Sequence, residues 1–400
     1  MGLLLNRRRE MGGSGVHYDA WIEYIQNPSQ AYIDTGFYYQ TGHNVSYILD
    51  YTVVGSVSGQ SYFGSRNSAS SSGNGWSGIP YVGNVYVGTT SFGTFNAATN
   101  TRYTLDVSIS NSGATCSFIQ KSGGSTVASN SASITTLATM NNSIVLFADQ
   151  YNSGVSQYCT GIRVHSFKII DNGTTVRDYI PVRVGQVGYL YDKVSKKLFG
   201  NAGSGSFTIG SDVKEIAYIQ SSGTQWINTQ YIPTTNTKAE MSCNITPYTQ
   251  YDTPFGSRTG ANSGSFLIFA RYGSNNNAYY DFGNGEAAIG ADASNYGNDI
   301  TISLSNTQAI FGNKSVSYSK TLSSSYPIYL FNLNQSNAVY SGNICACVMK
   351  LYSFKLYESN TLVRDFIPVK IGTTGYLYDK ITGNFYGNSG SGSFTLGPDV

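Results

Sequence analysis

Hydrolysis of a glycosidic bond needs two carboxyl groups about 5 to 9.5 Å apart, one an acid and the other a nucleophile or base. Alternate residues of a strand share a face, so one strand meets that need as Glu-x-Asp-x-Glu. The chain has 22 acidic residues but no such motif. Glu215 and Glu240 each lack a carboxylate two residues away, and Asp34 is replaced by Asn228 in a second copy of its segment. The three histidines, His17, His43 and His165, have no nucleophile near them in sequence. His165 follows Val164 in an alternating run and reads as a solvent-facing strand residue. The glycines are not followed by the Lys-Ser/Thr of a phosphate loop, so no cofactor is expected.

The cysteines number five, at 116, 159, 243, 345 and 347, and a disulfide framework would repeat with the copies. They read as mostly free thiols, with Cys345 and Cys347 on one face of a strand. Asp149, beside an Asn-rich loop, is a candidate oxygen ligand for calcium, but calcium takes six to eight oxygens. Copy two has Leu333 or Asn334 there, and no metal is assigned. Arg177-Asp178 and Arg364-Asp365 recur together and read as braces of a turn before the Ile-Pro segment.

Binding chemistry is better represented. Sugars stack on aromatic faces and take polar hydrogen bonds, and protein partners use the same residue types. The candidates are Trp76, Tyr81 and Tyr86 in the first half, and Arg271, Tyr272, Tyr279 and Tyr280 in the second. Arg66 and Arg258 join them, because each closes a repeated Gly-Ser-Arg and could donate to a glycan or cap a loop. The competing reading places many of these rings in the core, where strand aromatics belong.

Composition says what must position these residues. Charged residues make up 12% of the chain and aromatics 14%, with 33 Tyr and 45 Gly. Tyr and Thr suit pleated surfaces, and Gly and Asn suit tight turns. A net charge of +2 argues against a nucleic-acid groove. No apolar run approaches a membrane span. Period-two alternation recurs, as at Tyr103–Ile109, Ile300–Leu304 and Ser315–Ser319.

The strongest signal is an internal repeat. Tyr24-Ile25-Gln26 returns as Tyr218-Ile219-Gln220, and Ile33-Asp34-Thr35 as Ile227-Asn228-Thr229. Val176-Arg177-Asp178-Tyr179-Ile180-Pro181-Val182 returns as Val363-Arg364-Asp365-Phe366-Ile367-Pro368-Val369. Gly188-Tyr189-Leu190-Tyr191-Asp192-Lys193 and Gly203-Ser204-Gly205-Ser206-Phe207-Thr208 return at 375–380 and 390–395. The ends of the copies are alike and the middles diverge, which assigns scaffold to the ends and the variable face to the middles. The expected architecture is all-β: an N-terminal segment over 1–19, then two tandem antiparallel jelly-roll β-sandwich domains over 20–213 and 214–400.

These opening and closing motifs resemble the concanavalin A-like, laminin-G-type jelly rolls found in gut bacteria and their tailed phages. The resemblance covers nearly the whole chain and implies glycan or protein binding without fixing a ligand. The head, with Leu3, Leu4 and Leu5 before Arg7, Arg8 and Arg9, resembles small proteins of tailed gut phages. Its leucines are too few for a signal core, and the arginines follow them.

The resulting expectation is a non-catalytic virion protein, made in the host cytoplasm. It would be a capsid- or tail-attached decoration or fibre protein, displaying two lectin-like domains to host-surface glycans. The residues Leu3–Leu5 and Arg7–Arg9 would anchor it to other virion proteins. The alternative is a secreted or surface-bound bacterial carbohydrate-binding adhesin. A glycan hydrolase comes third, lacking its carboxylates.

Overall fold

The architecture was read from a computed structural model. It describes residues 17–57, 59–67, 79–81, 84–87, 90–94, 98–110, 115–122, 125–134, 137–151, 154–273, 277–291, 295–340 and 344–400. For 79–81, 84–86, 90–94, 115–118, 121–122, 125 and 291 the description is of backbone only. The described residues form strands and turns without an α-helix. The chain divides between Asp212 and Val213. Val213, placed in the first copy by its sequence, pairs with Ile371 and so belongs to the second unit.

Each unit is a large sheet facing a smaller one. In the first, the large sheet runs Ser125–Ser133, Thr115–Ser122, Thr101–Ser110, Val45–Val53, Ile162–Asp171, Thr174–Val184, Val187–Asp192, Lys197–Phe199. Its smaller sheet runs Gly154–Ser156, Asp149–Tyr151, Phe63–Arg66, Val145–Leu146, Ile33–Asp34. In the second unit the large sheet runs Lys314–Ser317, Gln308–Phe311, Asp299–Leu304, Thr237–Thr246, Val348–Glu358, Thr361–Ile371, Thr374–Asp379, Phe385–Tyr386. The smaller runs Ile227–Asn228, Tyr329–Leu330, Phe255–Arg258, Ser265–Phe269, Asn277–Gly283, Glu286–Ala291. This two-sheet sandwich of mostly antiparallel strands is the architecture expected of a jelly roll. The first unit also has a three-stranded sheet of Ile79–Tyr81, Asn84–Val87 and Thr90–Thr94.

Alternation builds the core. Along Thr237–Thr246 every second residue, from Thr237 to Ile245, is buried. Tyr47, Leu49, Phe63, Leu105 and Phe167 fill the first core, and Met241, Phe255, Ile268, Ile302 and Phe354 the second. Apolar burial on this scale, at roughly 25 cal/mol per Å², is the main favourable term in folding.

The repeated ends explain themselves as a clasp. The opening Ile25–Gln26 lies between Ile162–Asp171 and the closing Thr208–Ile209, and Ile219–Gln220 likewise between Val348–Glu358 and Thr395–Leu396. The Asn201 side-chain oxygen accepts from the amides of Tyr32 (3.1 Å) and Gly203 (2.8 Å). Asn388 does the same for Trp226 (3.2 Å) and Gly390 (2.9 Å). A Cβ at Gly203 would lie 2.1 Å from the carbonyl oxygen of Gln30, and one at Gly390 would lie 2.1 Å from that of Thr224.

The Arg-Asp pairs lie within the strands Thr174–Val184 and Thr361–Ile371, and the turns are tied by the next motif's aspartate. Buried Asp192 accepts from the amides of Asp178 (2.9 Å) and Val194 (3.1 Å) and the Ser195 hydroxyl (2.7 Å). Asp379 repeats this with Asp365 (2.9 Å), Ile381 (3.1 Å) and Thr382 (2.7 Å).

Because backbone blocks the methyl at both clasp glycines, Gly203→Ala and Gly390→Ala should each destabilise their own unit by about 1–3 kcal/mol. Calorimetry of the whole chain should show the transition of the altered unit fall in temperature while the other holds.

Candidate functional site

The chemistry-bearing side chains gather on the outward face of the smaller sheet. Along Phe63–Arg66 and Phe255–Arg258 the phenylalanine enters the core, so the glycine and arginine point away from it. Gly256 confirms the direction, since a Cβ there would meet Leu267 and Leu333, which lie outside the main core.

Both arginines close their strands and are buried, each 7% exposed. Their guanidinium groups lie under tyrosine rings, Arg66 at 4.3 Å from the Tyr151 centroid and Arg258 at 4.6 Å from that of Tyr340. The partner differs between units. Arg66 Nε meets Asp149 Oδ2 at 2.6 Å, whereas Arg258 Nε donates to Gln335 Oε1 at 2.8 Å. The position of Asp149 is taken by Leu333, as the parallel pairings Gln150↔Ser65 and Asn334↔Ser257 show. Burial pushes the Asp149 carboxyl up to about 7, against the pull of Arg66. A calcium role for Asp149 is therefore displaced, because this buried carboxylate already has a cation against it. Among the described residues no acidic, His or Cys cluster could hold a metal.

In the second unit the same face carries a small outer core of Leu267, Phe269, Leu333 and Cys345. Tyr251, Tyr272, Tyr279 and Tyr340 pack on it while remaining partly exposed. Tyr272 is the hub, with its ring 4.6 Å from Tyr279, 5.3 Å from Tyr251 and 5.4 Å from Phe269. Its hydroxyl donates to the Glu286 carboxylate, and that bond, with burial second, pushes the phenol up to about 12. Arg271 Nη1 donates to the Thr249 carbonyl at 3.4 Å at the rim. Tyr280 points the other way, 3% exposed and stacked 4.2 Å from Tyr318, and belongs to the core.

Sequence reasoning missed three members of this face, Tyr251, Tyr340 and Glu286, because they lie where the two copies diverge in sequence. It also missed Trp226, stacked 4.3 Å from Tyr329 at the edge of the same sheet. The repeat itself offered that signal, since Tyr32 holds the matching place. Glu286 pairs in register with Asp281, so folding brings two carboxyl groups together that the sequence keeps apart. Asp281 is 1% exposed, and burial raises its pKa.

Trp76 and the head residues Leu3, Leu4, Leu5, Arg7, Arg8 and Arg9 lie outside the described residues. Tyr81 and Tyr86 lie on strands of the three-stranded sheet, described as backbone. Two other expectations change. His165 is 5% exposed, with Nδ1 2.8 Å from the Glu23 carbonyl and Nε2 2.8 Å from the Thr52 hydroxyl, and burial lowers its pKa to about 3. Cys345 and Cys347 precede the strand Val348–Glu358, and one packs in the outer core while the other packs in the main one. Cys159, Cys243, Cys345 and Cys347 are free and buried.

No protein-family model matches the chain, and no curated protein matches it. Among solved structures it is similar to the mouse laminin alpha1 chain, domains LG4-5. That match has 9% identity and a TM-score of 0.30, over 88% of this chain and 94% of that one. It is also similar to NanB with optactamide, at 10% identity and a TM-score of 0.27, over 94% of this chain and 74% of that one. Likeness at these scores carries no function across.

The Arg66–Asp149 pair generates a pH signature. The folded carboxyl, near 7, lies above its unfolded value, so its stabilising contribution is full below about pH 4 and is lost as pH rises through 7. Asp149→Asn has no such titration. The stability difference between variant and native protein should therefore shift by up to about 4 kcal/mol between pH 4 and pH 7, in favour of the variant at the higher pH. Urea denaturation at intervals across that window measures it.

Proposed function

We propose that the chain is a non-catalytic binding protein whose second unit engages host-surface glycans. The observation that carries this reading is the tyrosine cluster Tyr251, Tyr272, Tyr279 and Tyr340. It is half-exposed on a sheet face whose interior is already filled. Ring faces for stacking lie beside polar groups, Glu286, Arg271 and Gln335, that can fix the orientation of a hydroxylated ligand. The absence of catalysis is argued from access, since a glycosidase needs both carboxyls against substrate and Asp281 is enclosed.

We place this activity on a virion, as a capsid- or tail-attached protein held through residues 1–16. The support is in the sequence. A three-leucine stretch followed by three arginines and a Gly/Ser tether cannot hold a fold alone, and it suits burial against a larger partner.

Tyr272→Ala should weaken binding to host cells or their isolated glycans about fivefold, as loss of one stacked ring of roughly 1 kcal/mol implies, with both units still folded by circular dichroism. Equal binding by the variant, or none by the native protein, would sink the glycan reading. Release of reducing sugar that disappears in Glu286→Gln would instead make the protein a hydrolase.

Deleting residues 2–10 should leave both units folded and remove the protein from particles purified after an infection that supplies only the shortened form. Normal incorporation, scored by mass spectrometry of the particles, would rule the anchor out.

A further inference from the structure

The outward face of the large sheet carries a second arrangement, matched in position between the units and changed in chemistry. In the first unit Arg163 lies 4.3 Å from the centroid of Tyr24, and Arg102 grips Asp50 through two bonds, at 2.9 and 2.5 Å. Arg102 is the cross-strand partner of Thr52, which pairs on its other side with Arg163. In the second unit the same three places, read from the pairings, hold Asp299, Asn244 and Lys350. Lys350 again lies over a tyrosine, 4.8 Å from the centroid of Tyr218. Asp299 thus stands where the first unit has an arginine.

That exchange goes with an open recess of about 530 Å3, lined by Asn295, Asn298, Asp299, Ile300, Thr301, Gly312 and Asn313. Asn244 Nδ2 donates to Asp299 Oδ1 at 3.0 Å, and the Tyr352 hydroxyl donates to the same oxygen at 2.7 Å. These two donors hold the carboxyl below its ordinary range, so it is an ionised acceptor. Both bonds fall on Oδ1, which leaves Oδ2 lone pairs for a ligand. Asn295, 4% exposed, donates to the Phe311 carbonyl at 3.3 Å and is seated against Gly312, where a Cβ would come within 2.1 Å of its side-chain oxygen. The back wall is therefore built. The volume falls within the roughly 300–1,000 Å3 of small-ligand sites.

The lining selects the ligand. One carboxylate is too few for calcium, which takes six to eight oxygens including several carboxylates. The same carboxylate repels phosphate and other anions. An ionised acceptor, primary amides that donate and accept at once, and a hydroxyl match the alternating donors and acceptors of a pyranose. We propose that this recess in the second unit is a binding site for a neutral sugar, a hexose or N-acetylhexosamine, with Asp299 accepting from two of its hydroxyl or amide protons. At the matching place in the first unit Arg102 is paired with Asp50. The proposal extends the glycan-binding reading to the opposite sheet of the same unit and shares no residue with the tyrosine cluster.

The test is saturation-transfer NMR and titration of the full chain with the methyl glycosides of mannose, galactose and N-acetylglucosamine. It compares native protein, Asp299→Ala, Thr301→Tyr and Tyr272→Ala. Asp299 and Thr301 are exposed at a strand start, and circular dichroism checks that both variants fold. The expected result is binding of at least one glycoside by native protein, with affinity at least tenfold weaker in Asp299→Ala and in the filled recess of Thr301→Tyr, and weakened less than that in Tyr272→Ala. Unchanged affinity in the two recess variants, or no binding by native protein, overturns the recess. Loss in Tyr272→Ala alone would assign sugar binding to the tyrosine cluster and likewise overturn it. The cluster itself is judged by binding of Tyr272→Ala to host cells, so its failure there leaves the glycoside result for the recess standing.

Discussion

A column of four aromatic rings holds each unit together, and the placing of every functional side chain follows from it. In the first unit Phe63 from the smaller sheet meets Phe167 (5.2 Å), which meets Tyr179 (6.4 Å), which meets Phe199 (5.1 Å). Phe255, Phe354, Phe366 and Tyr386 repeat it at 5.5, 6.0 and 5.1 Å. The column ties the smaller sheet to three strands of the large one, which in the first unit are Ile162–Asp171, Thr174–Val184 and Lys197–Phe199. Side chains of a strand alternate between faces, so fixing Phe63 and Phe255 inward fixes Arg66 and Arg258 outward. A slip of one residue would bury the guanidinium in the core and cost far more than any contact it makes outside. A second inter-sheet contact, Phe147–Phe207 at 5.5 Å and Phe331–Phe394 at 5.1 Å, carries the same logic to the closing strand.

This dependence shows what could be read from sequence. The repeat was legible because the clasp and the column use the same residue types twice, and the alternating strands were legible wherever pairing is regular. Alternation gave the face of a residue but not what covers it. His165 adjoins the irregularity between Val164 and Ser166 on the outward face, where it meets Thr52, and the opening segment covers its ring through Tyr24 and the Glu23 carbonyl. Tyr279 and Tyr280 adjoin another bulge, between Ala278 and Tyr279. Only the register of Phe266 opposite Phe282 decides which of the two faces out. Cys345 and Cys347 share a parity but not a strand, and chain direction changes between them. The partners of Tyr272 come from the stretch in which the copies have diverged in sequence, for which the repeat gives no template.

The units differ most in how they neutralise carboxylates. In the first, Asp149 meets Arg66, Asp50 meets Arg102, and Asp171 meets His43 at 2.8 Å. Each of these is a closed pair, with the acid compensated by an ionised or ionisable partner. In the second, hydroxyls and amides take over. Glu286 accepts from Tyr272, Asp299 from Tyr352 and Asn244, and Glu358 from Tyr231 (2.8 Å), Thr234 (2.6 Å) and Thr237 (2.8 Å). Two of these changes are matched in place, Arg102 against Asp299 and Asp171 against Glu358.

A neutral donor orients a carboxylate without cancelling its charge. An arginine fork takes both oxygens and leaves little for a ligand, whereas a phenol takes one lone pair and leaves the rest. The phenols in turn resist ionisation. Burial first and then the bond to the acid push Tyr352 up to about 12, and burial with contacts at Glu358 does the same for Tyr231. They therefore stay donors across the neutral range. Carboxylates held this way at a surface are charged, fixed in direction and still able to accept, which is the condition that recognition of hydroxyl-rich ligands imposes. The first unit meets that condition at none of the three acids compared above. Duplication kept the column and the clasp, which any copy needs in order to fold. The copies differ in the core as well, where Tyr47 and Tyr51 are matched by Ala239 and Cys243, but it is on the outward faces that exchanging an ion pair for a hydroxyl bond changes what the surface can bind.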